Sequence, residues 1–201
     1  MLRVGLTGGL ASGKSFVGHQ LESLGCLLIQ ADALGHQVLR PDGEAYPGVV
    51  KEFGSEVLNE DGTINRRRLA KQVFGNPERL AILNGLVHPP VFRREQDLID
   101  RYQAENPTGI AVVEAAILIE TGSYKRYDRV ILAVCSEAQQ IERAMRRDGA
   151  TREDVEARLR NQMPLAEKAK FAHYVIDTSG TKEETAGQVE RVYHHLRSLL
   201  Q

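Results

Sequence analysis

Near the start of the chain, Gly8-Gly9-Leu10-Ala11-Ser12-Gly13-Lys14-Ser15 satisfies the pattern G-x-x-x-x-G-K-[ST], and this stretch restricts the possible folds more than any other. Glycines let the backbone curl until successive amides point into one concavity. The helix that opens at Gly13-Lys14 adds the positive end of its dipole. Such a nest works when a strand delivers the chain into it and a helix carries the chain away. Residues 2–7 form a short apolar segment, and residues 14–24 place Phe16, Val17, Leu21 and Leu24 at helical spacing. Gly9, Leu10, Ala11, Ser12, Gly13, Lys14, Ser15 and Phe16 are therefore expected to hold the phosphates of a nucleotide. Lys14 reaches the terminal phosphates as a point charge, and the Ser15 hydroxyl ligates a bridging magnesium ion. ATP and Mg2+ are the cofactors this implies.

Four further apolar runs follow, at residues 26–29, 110–113, 129–135 and 174–176, and the second of these stops at Glu114. Continuous apolar runs joined by helices suit a parallel sheet buried on both faces. Ser136 with Gln139, and Thr181 with Glu184, have the spacing of capping boxes, so helices should follow the fourth and fifth strands. Residues 33–103 are instead helical and charged, with breaks at Pro41-Asp42-Gly43, Glu60-Asp61-Gly62 and Asn76-Pro77. That stretch is too long for a simple crossover. The expectation is an α/β fold: a P-loop NTPase core with a five-stranded parallel sheet, a helical insertion and a lid. The chain reads as one domain over 1–201, with its core at about 1–32 and 104–201, the acceptor-binding insertion at about 33–103 and the lid at about 140–172.

Charge and composition narrow the function. Lys plus Arg number 26 against 27 for Asp plus Glu, so no global field draws the chain to nucleic acid or to an anionic membrane. Cys26 and Cys135 lie far apart in apolar runs, without metal-ligand spacing, and read as buried thiols. No apolar h-region precedes the glycines, and no stretch of about 18 apolar residues could span a bilayer, which makes the cytoplasm the expected location. There is no Asn-Lys-x-Asp for guanine and no basic face for a polynucleotide. A small-molecule kinase fits best; a nucleoside monophosphate or other metabolite kinase, and a regulatory module that binds ATP without turnover, are the rival readings.

Asp32 follows the second strand, whose end opens beside the phosphate loop in a parallel sheet. Its carboxylate could receive the proton of an attacking hydroxyl or orient it, or it could cap the next helix. Glu114 ends the third strand as a Walker B carboxylate would, holding magnesium-bound water. Arg143, Arg146 and Arg147, with Asp148, lie on the helix after the fourth strand at spacings of three and four. A closing lid could bring Arg143 and Arg147 onto the transferring phosphoryl group, although a solvated basic face would have the same pattern.

These residues resemble the dephospho-CoA kinase family over essentially the whole chain. The opening from Gly5 to Ser15 is similar to that family's extended phosphate loop, and Ala31-Asp32-Ala33 to its substrate aspartate. Arg66-Arg67-Arg68-Leu69 with Val73-Phe74, His88-Pro89, and Arg158-Leu159-Arg160-Asn161-Gln162 resemble its further motifs. The resemblance implies a helical CoA-binding insertion and transfer of the ATP γ-phosphoryl group to the ribose 3′-hydroxyl of dephospho-CoA, the last step of coenzyme A synthesis. It also implies acceptor contacts from Asp32, Arg66 and His88, although His88, standing before a proline, could equally fix a turn or extended element. Two departures stand out. Gln30 replaces an Asp, removing a charge near the metal, and Ala116-Ile117-Leu118 replaces Pro-Leu-Leu, freeing the backbone of that loop, while Glu120 still matches. Oligomeric state is not legible.

Overall fold

In the computed structural model, which describes residues 1–200, five parallel strands form one sheet in the order β2-β3-β1-β4-β5. They are β1 (Leu2–Gly8), β2 (Leu27–Gln30), β3 (Ile110–Glu114), β4 (Arg129–Val134) and β5 (Tyr174–Asp177). All five coincide with the apolar runs. β1 and β3 are covered on both faces, which is why their side chains are almost uniformly apolar. The register sets Leu6 beside Glu114 and Gly8 beside Ala133, so β1 ends next to the carboxylate that closes β3 and near the end of β4.

The chain divides into two compact units. One comprises Met1–Gln30 and Arg101–Gln201, the other Ala31–Asp100. In the first, α1 (Lys14–Ser23) and α9 (Lys182–Ser198) bury Val17, Leu21, Val189 and Leu196 against Val4, Leu6, Val112 and Ile131. On α6 (Glu137–Asp148) and α7 (Arg152–Arg160), Ile141, Ala144 and Val155 form a smaller core, on which Leu10, Ala11 and Leu159 pack. Residues 140–148, at the start of the expected lid, are thus the body of α6, with Gln140, Ile141 and Ala144 buried. A short helix, α8 (Leu165–Lys168), precedes β5.

The second unit holds α2 (Ala31–Val38), α3 (Tyr46–Phe53), α4 (Arg66–Val73) and most of α5 (Pro77–Glu105). Its own core is Val49, Phe53, Val57, Ile64 and Leu69. The breaks read from the sequence fall between these helices. The His88-Pro89 step departs from its expected turn: both Pro89 and Pro90 lie inside the 29-residue α5. A proline removes one helical N–H bond and crowds the carbonyl four residues back. Burial of Pro90, Val91, Glu95 and Ile99 on one side of the helix offsets that cost.

Both capping boxes form. The Thr181 hydroxyl accepts from the Glu184 amide at 3.1 Å while Glu184 accepts from the Thr181 amide at 2.7 Å. Thr181→Ala should cost about 1 kcal/mol and lower Tm by about 2–4 °C, with Thr181→Ser near wild type and turnover unchanged. Thermal melts of the two variants check this.

Candidate active site

The phosphate loop leaves β1 at Gly8 and enters α1 at Gly13. Two residues in it are left-handed, Ala11 with φ 53° and Gly13 with φ 81°, and Ala11 is the only non-glycine at positive φ among the described residues. Alternation of this kind makes successive amides converge, as an anion nest requires. No side chain caps α1 at Gly13, so its first amides and the dipole end face the same concavity. The glycines are needed for space as well. A Cβ at Gly8 would come 2.2 Å from Ser12 Oγ, and one at Gly13 would meet Thr178 at 2.8 Å. The buried Ser12 hydroxyl has no partner. An orphaned buried hydroxyl, an uncapped helix start and converging amides together fit a phosphate chain.

At the mouth of this loop Lys14, Ser15 and Glu114 come together. Lys14 Nζ lies 3.2 Å from Glu114 Oε1, and the Ser15 hydroxyl donates to the same oxygen at 2.7 Å. The Gln30 amide donates to Glu114 Oε2 at 3.3 Å, so both carboxylate oxygens have partners. Two hard oxygens, Ser15 Oγ and Glu114 Oε1, stand at the helix start, a donor set that suits a magnesium ion keeping most of its ligands as water and phosphate. Among the described residues no three His, Cys, Asp or Glu side chains cluster.

The two arginines expected on the phosphoryl group take different places. Arg143 donates to Thr178 Oγ1 at 3.1 Å and to Thr178 O at 2.7 Å, and Thr178 in turn donates to Ser12 O at 2.9 Å. Arg143 therefore supports the phosphate loop through Thr178. Arg147 is exposed and pairs with Asp148 at 2.7 Å, and Asp148 also takes Arg158 at 3.0 Å. Hydrogen bonding to Arg147 holds the Asp148 carboxyl below its ordinary range. A cavity of about 640 Å³ beside the loop is lined by Gly9, Cys135, Gln140, Glu156, Arg160 and Gln162, among others.

Gln140 and Lys168 were not singled out in the sequence, and Gln162 and Glu120 entered there only as motif matches without a role. Leu10 has its amide on Gln162 Oε1 at 2.9 Å and its carbonyl on Gln140 Nε2 at 2.8 Å. Lys168 is fully buried and donates to Gly8 O at 3.2 Å and Ala116 O at 3.0 Å, with Glu120 at 2.8 Å. Ala116 O also accepts from Thr7 at 3.2 Å. The loop that lacks the family's proline is therefore pinned at this carbonyl, contrary to the expectation of a freed backbone.

In the second unit, α2 starts at Ala31, directly after β2, so Asp32 is the second helical residue and lies past a cap's position. Its charge acts on His36, one turn on, by raising the imidazole pKa, and the Arg66 guanidinium contacts His36 Nε2. His36, Arg40, Thr63 and Arg66 line a cavity of about 210 Å³. Asp32 and Arg66 thus act with opposite sign on one histidine, whose only sequence signal was its i+4 spacing from Asp32. His88 is half-buried against Phe92, with ring centroids 5.7 Å apart. Burial lowers its pKa.

A parallel sheet whose central strand runs into a phosphate nest, with a carboxylate at the end of the neighbouring strand, defines the P-loop NTPase fold. Residues 2–184 match the family model described as Dephospho-CoA kinase. A dephospho-CoA kinase of Aquifex aeolicus is 40% identical over 196 residues, 98% of this chain and 98% of that protein. TT1252 from Thermus thermophilus superposes with a TM-score of 0.86 at 32% identity, over 96% of each chain. Dephospho-CoA kinase from Campylobacter jejuni superposes with a TM-score of 0.69 at 25% identity, over 99% of this chain and 98% of that one. The chain belongs to the dephospho-CoA kinase family, whose members phosphorylate dephospho-CoA with ATP in the last step of coenzyme A synthesis. No described helix is long and apolar enough to cross a membrane.

Burial first, and the Arg66 charge second, lower the His36 pKa from its ordinary 6.5, against the opposing pull of Asp32. A histidine with a depressed pKa charges later than in the unfolded chain, so its contribution is present above about pH 6.5 and is lost as pH falls through the window below. A proton NMR titration should place His36 below 6.5, and Arg66→Gln should move it back up.

Proposed function

We propose that this chain transfers the γ-phosphoryl group of ATP to the ribose 3′-hydroxyl of dephospho-CoA, with magnesium as cofactor and the phosphate loop as the ATP cradle. The observation that carries this reading is the convergence of Lys14, Ser15 and Glu114 at the uncapped start of α1. The loop amides hold the β- and γ-phosphates. Lys14, now paired with Glu114, shares its charge with the terminal phosphates, and Ser15 and Glu114 would hold Mg2+, the latter through water. Magnesium, when bound, neutralises phosphate charge and orients the transferring group.

Asp32 stands two residues beyond Gln30, which touches Glu114, so the chain carries its carboxylate onward from the metal-side end of β2. In the reaction the acceptor oxygen bonds to the γ-phosphorus as the bond to the β-phosphate oxygen breaks. The hydroxyl proton goes to Asp32 and ADP leaves. Arg66 and His88 hold the acceptor in the inserted helices. Arg147, exposed at the end of α6 in the expected lid of about residues 140–172, meets the phosphates when ATP is bound, and Arg143 acts from beneath through Thr178. The enzyme works in the cytoplasm, where its two free, buried thiols are at home, on a small molecule and without nucleic acid or membrane.

Mass spectrometry after incubation with ATP, magnesium and dephospho-CoA should show one added phosphoryl group on the acceptor together with ADP. Preference for a nucleoside monophosphate under competition would overturn the substrate assignment. Lys14→Ala should lower turnover by orders of magnitude with the fold intact.

Asp32→Asn should lower turnover by about 10²- to 10⁴-fold with little change in Tm. Wild-type turnover in that variant refutes the acceptor role. Arg66→Ala should raise the KM of dephospho-CoA much more than that of ATP, and equal effects on both would indicate a structural role instead.

A further inference from the structure

We infer that Gln162 and Lys168 are positioning residues, two grips on one short segment that set the shape of the phosphate loop and tie it to the arginine-bearing helix α7. The inference rests on the reading of that loop as the ATP cradle. Gln162 follows the C-cap of α7 and accepts the Leu10 amide at 2.9 Å. Six residues later Lys168, at the end of α8, donates to the Gly8 carbonyl at 3.2 Å. Gly8 and Leu10 flank Gly9, so the segment holds the loop on both sides of its first turn. Gln140 closes the arrangement from α6 by donating to Leu10 O at 2.8 Å, and it packs so closely that a Cβ on Gly9 would come 2.2 Å from its amide.

The loop needs such support. Ala11 follows Leu10 directly and holds a left-handed conformation that an L-residue with a Cβ avoids. Conformations of this kind persist only where the surroundings over-determine them. Leu10 has both of its backbone groups engaged by side chains, Gln140 from α6 and Gln162 from the turn after α7, which fixes the peptide leading into Ala11. Lys168 is fully buried, and its ammonium has three oxygen partners, from Gly8, Ala116 and Glu120. Glu120 accepts in turn from the Met163 amide at 3.3 Å, so the carboxylate binds the same segment at a second point. α7, which carries Arg152, Arg158 and Arg160, is thereby rooted on the phosphate loop itself.

The test combines amide exchange at Leu10, calorimetric titration with ATP, and steady-state kinetics for both substrates. Gln162→Leu keeps most of the volume and removes the acceptor. It should speed exchange of the Leu10 amide and raise the Kd and KM for ATP by about five- to tenfold, the equivalent of one hydrogen bond, with the KM for dephospho-CoA nearly unchanged. Gln162→Glu restores an acceptor oxygen and should restore the slow exchange at Leu10. Lys168→Met should give the same split between the two substrates, and if it fails to fold the Gln162 pair decides alone. Lys14→Ala serves as the control. If it weakens ATP binding while Gln162→Leu leaves ATP affinity and Leu10 exchange at wild-type values, the positioning role is overturned. If neither variant changes ATP affinity, the cradle reading falls and takes this inference with it. A Gln162→Leu variant that raises both KM values alike is merely structural and also refutes the assignment.

Discussion

A loop that offers its amides to a ligand cannot satisfy them within itself, and buried backbone groups left unpaired are costly. The shape of such a loop has to be imposed from outside. In this chain the imposition comes from the segments that follow β4 and β5: Thr178 after β5 takes Ser12 O, Gln140 on α6 takes Leu10 O, and Lys168 after α7 takes Gly8 O. The sheet order makes this possible. With β1 in the centre, the phosphate loop emerges between the ends of β3 and β4, so Glu114 reaches it from one side and the segments after β4 and β5 from the other.

Electrostatics at that point depend on a single carboxylate. Glu114 is aligned with Leu6 of β1 and receives Lys14, Ser15 and Gln30 together. The Gln30 contact occupies the oxygen turned away from Lys14. A glutamine here, where the resembling family carries an aspartate, leaves one negative charge rather than two beside the metal position. The site therefore leans more heavily on the phosphates themselves for its negative charge.

Local signals explain what could be read without coordinates. The central strands β1, β3 and β4 announced themselves because a strand buried on both faces has to be apolar throughout, the edge strands β2 and β5 showed only as short apolar runs, and both capping boxes formed because their partners are three residues apart. Lys168 escaped notice for the opposite reason. Nothing near it in sequence marks a buried lysine, since its oxygen partner at Gly8 is 160 residues away. Arg143 and Arg147 looked equivalent on a helical wheel, and only the position of Thr178 separates them. His88-Pro89 resembled a turn because a local rule says so, and the packing of α5 overrode that rule. His36 gained meaning only when Arg66, thirty residues later, was folded against it.

The two outer strands of the sheet, β2 and β5, are each four residues long, shorter than the central β1 with seven. An unpaired strand edge is a template on which another molecule's chain can add, and brevity is one of the ways natural sheets blunt it. β5 is further interrupted at once by Asp177, whose carboxylate accepts the Ser179 amide at 2.8 Å and bends the backbone out of the strand. With so little exposed ladder on either side, sheet extension from one molecule to the next has almost no register in which to begin. A fully parallel, strongly apolar sheet with its reactive groups at strand ends thus presents only two short edges to other molecules.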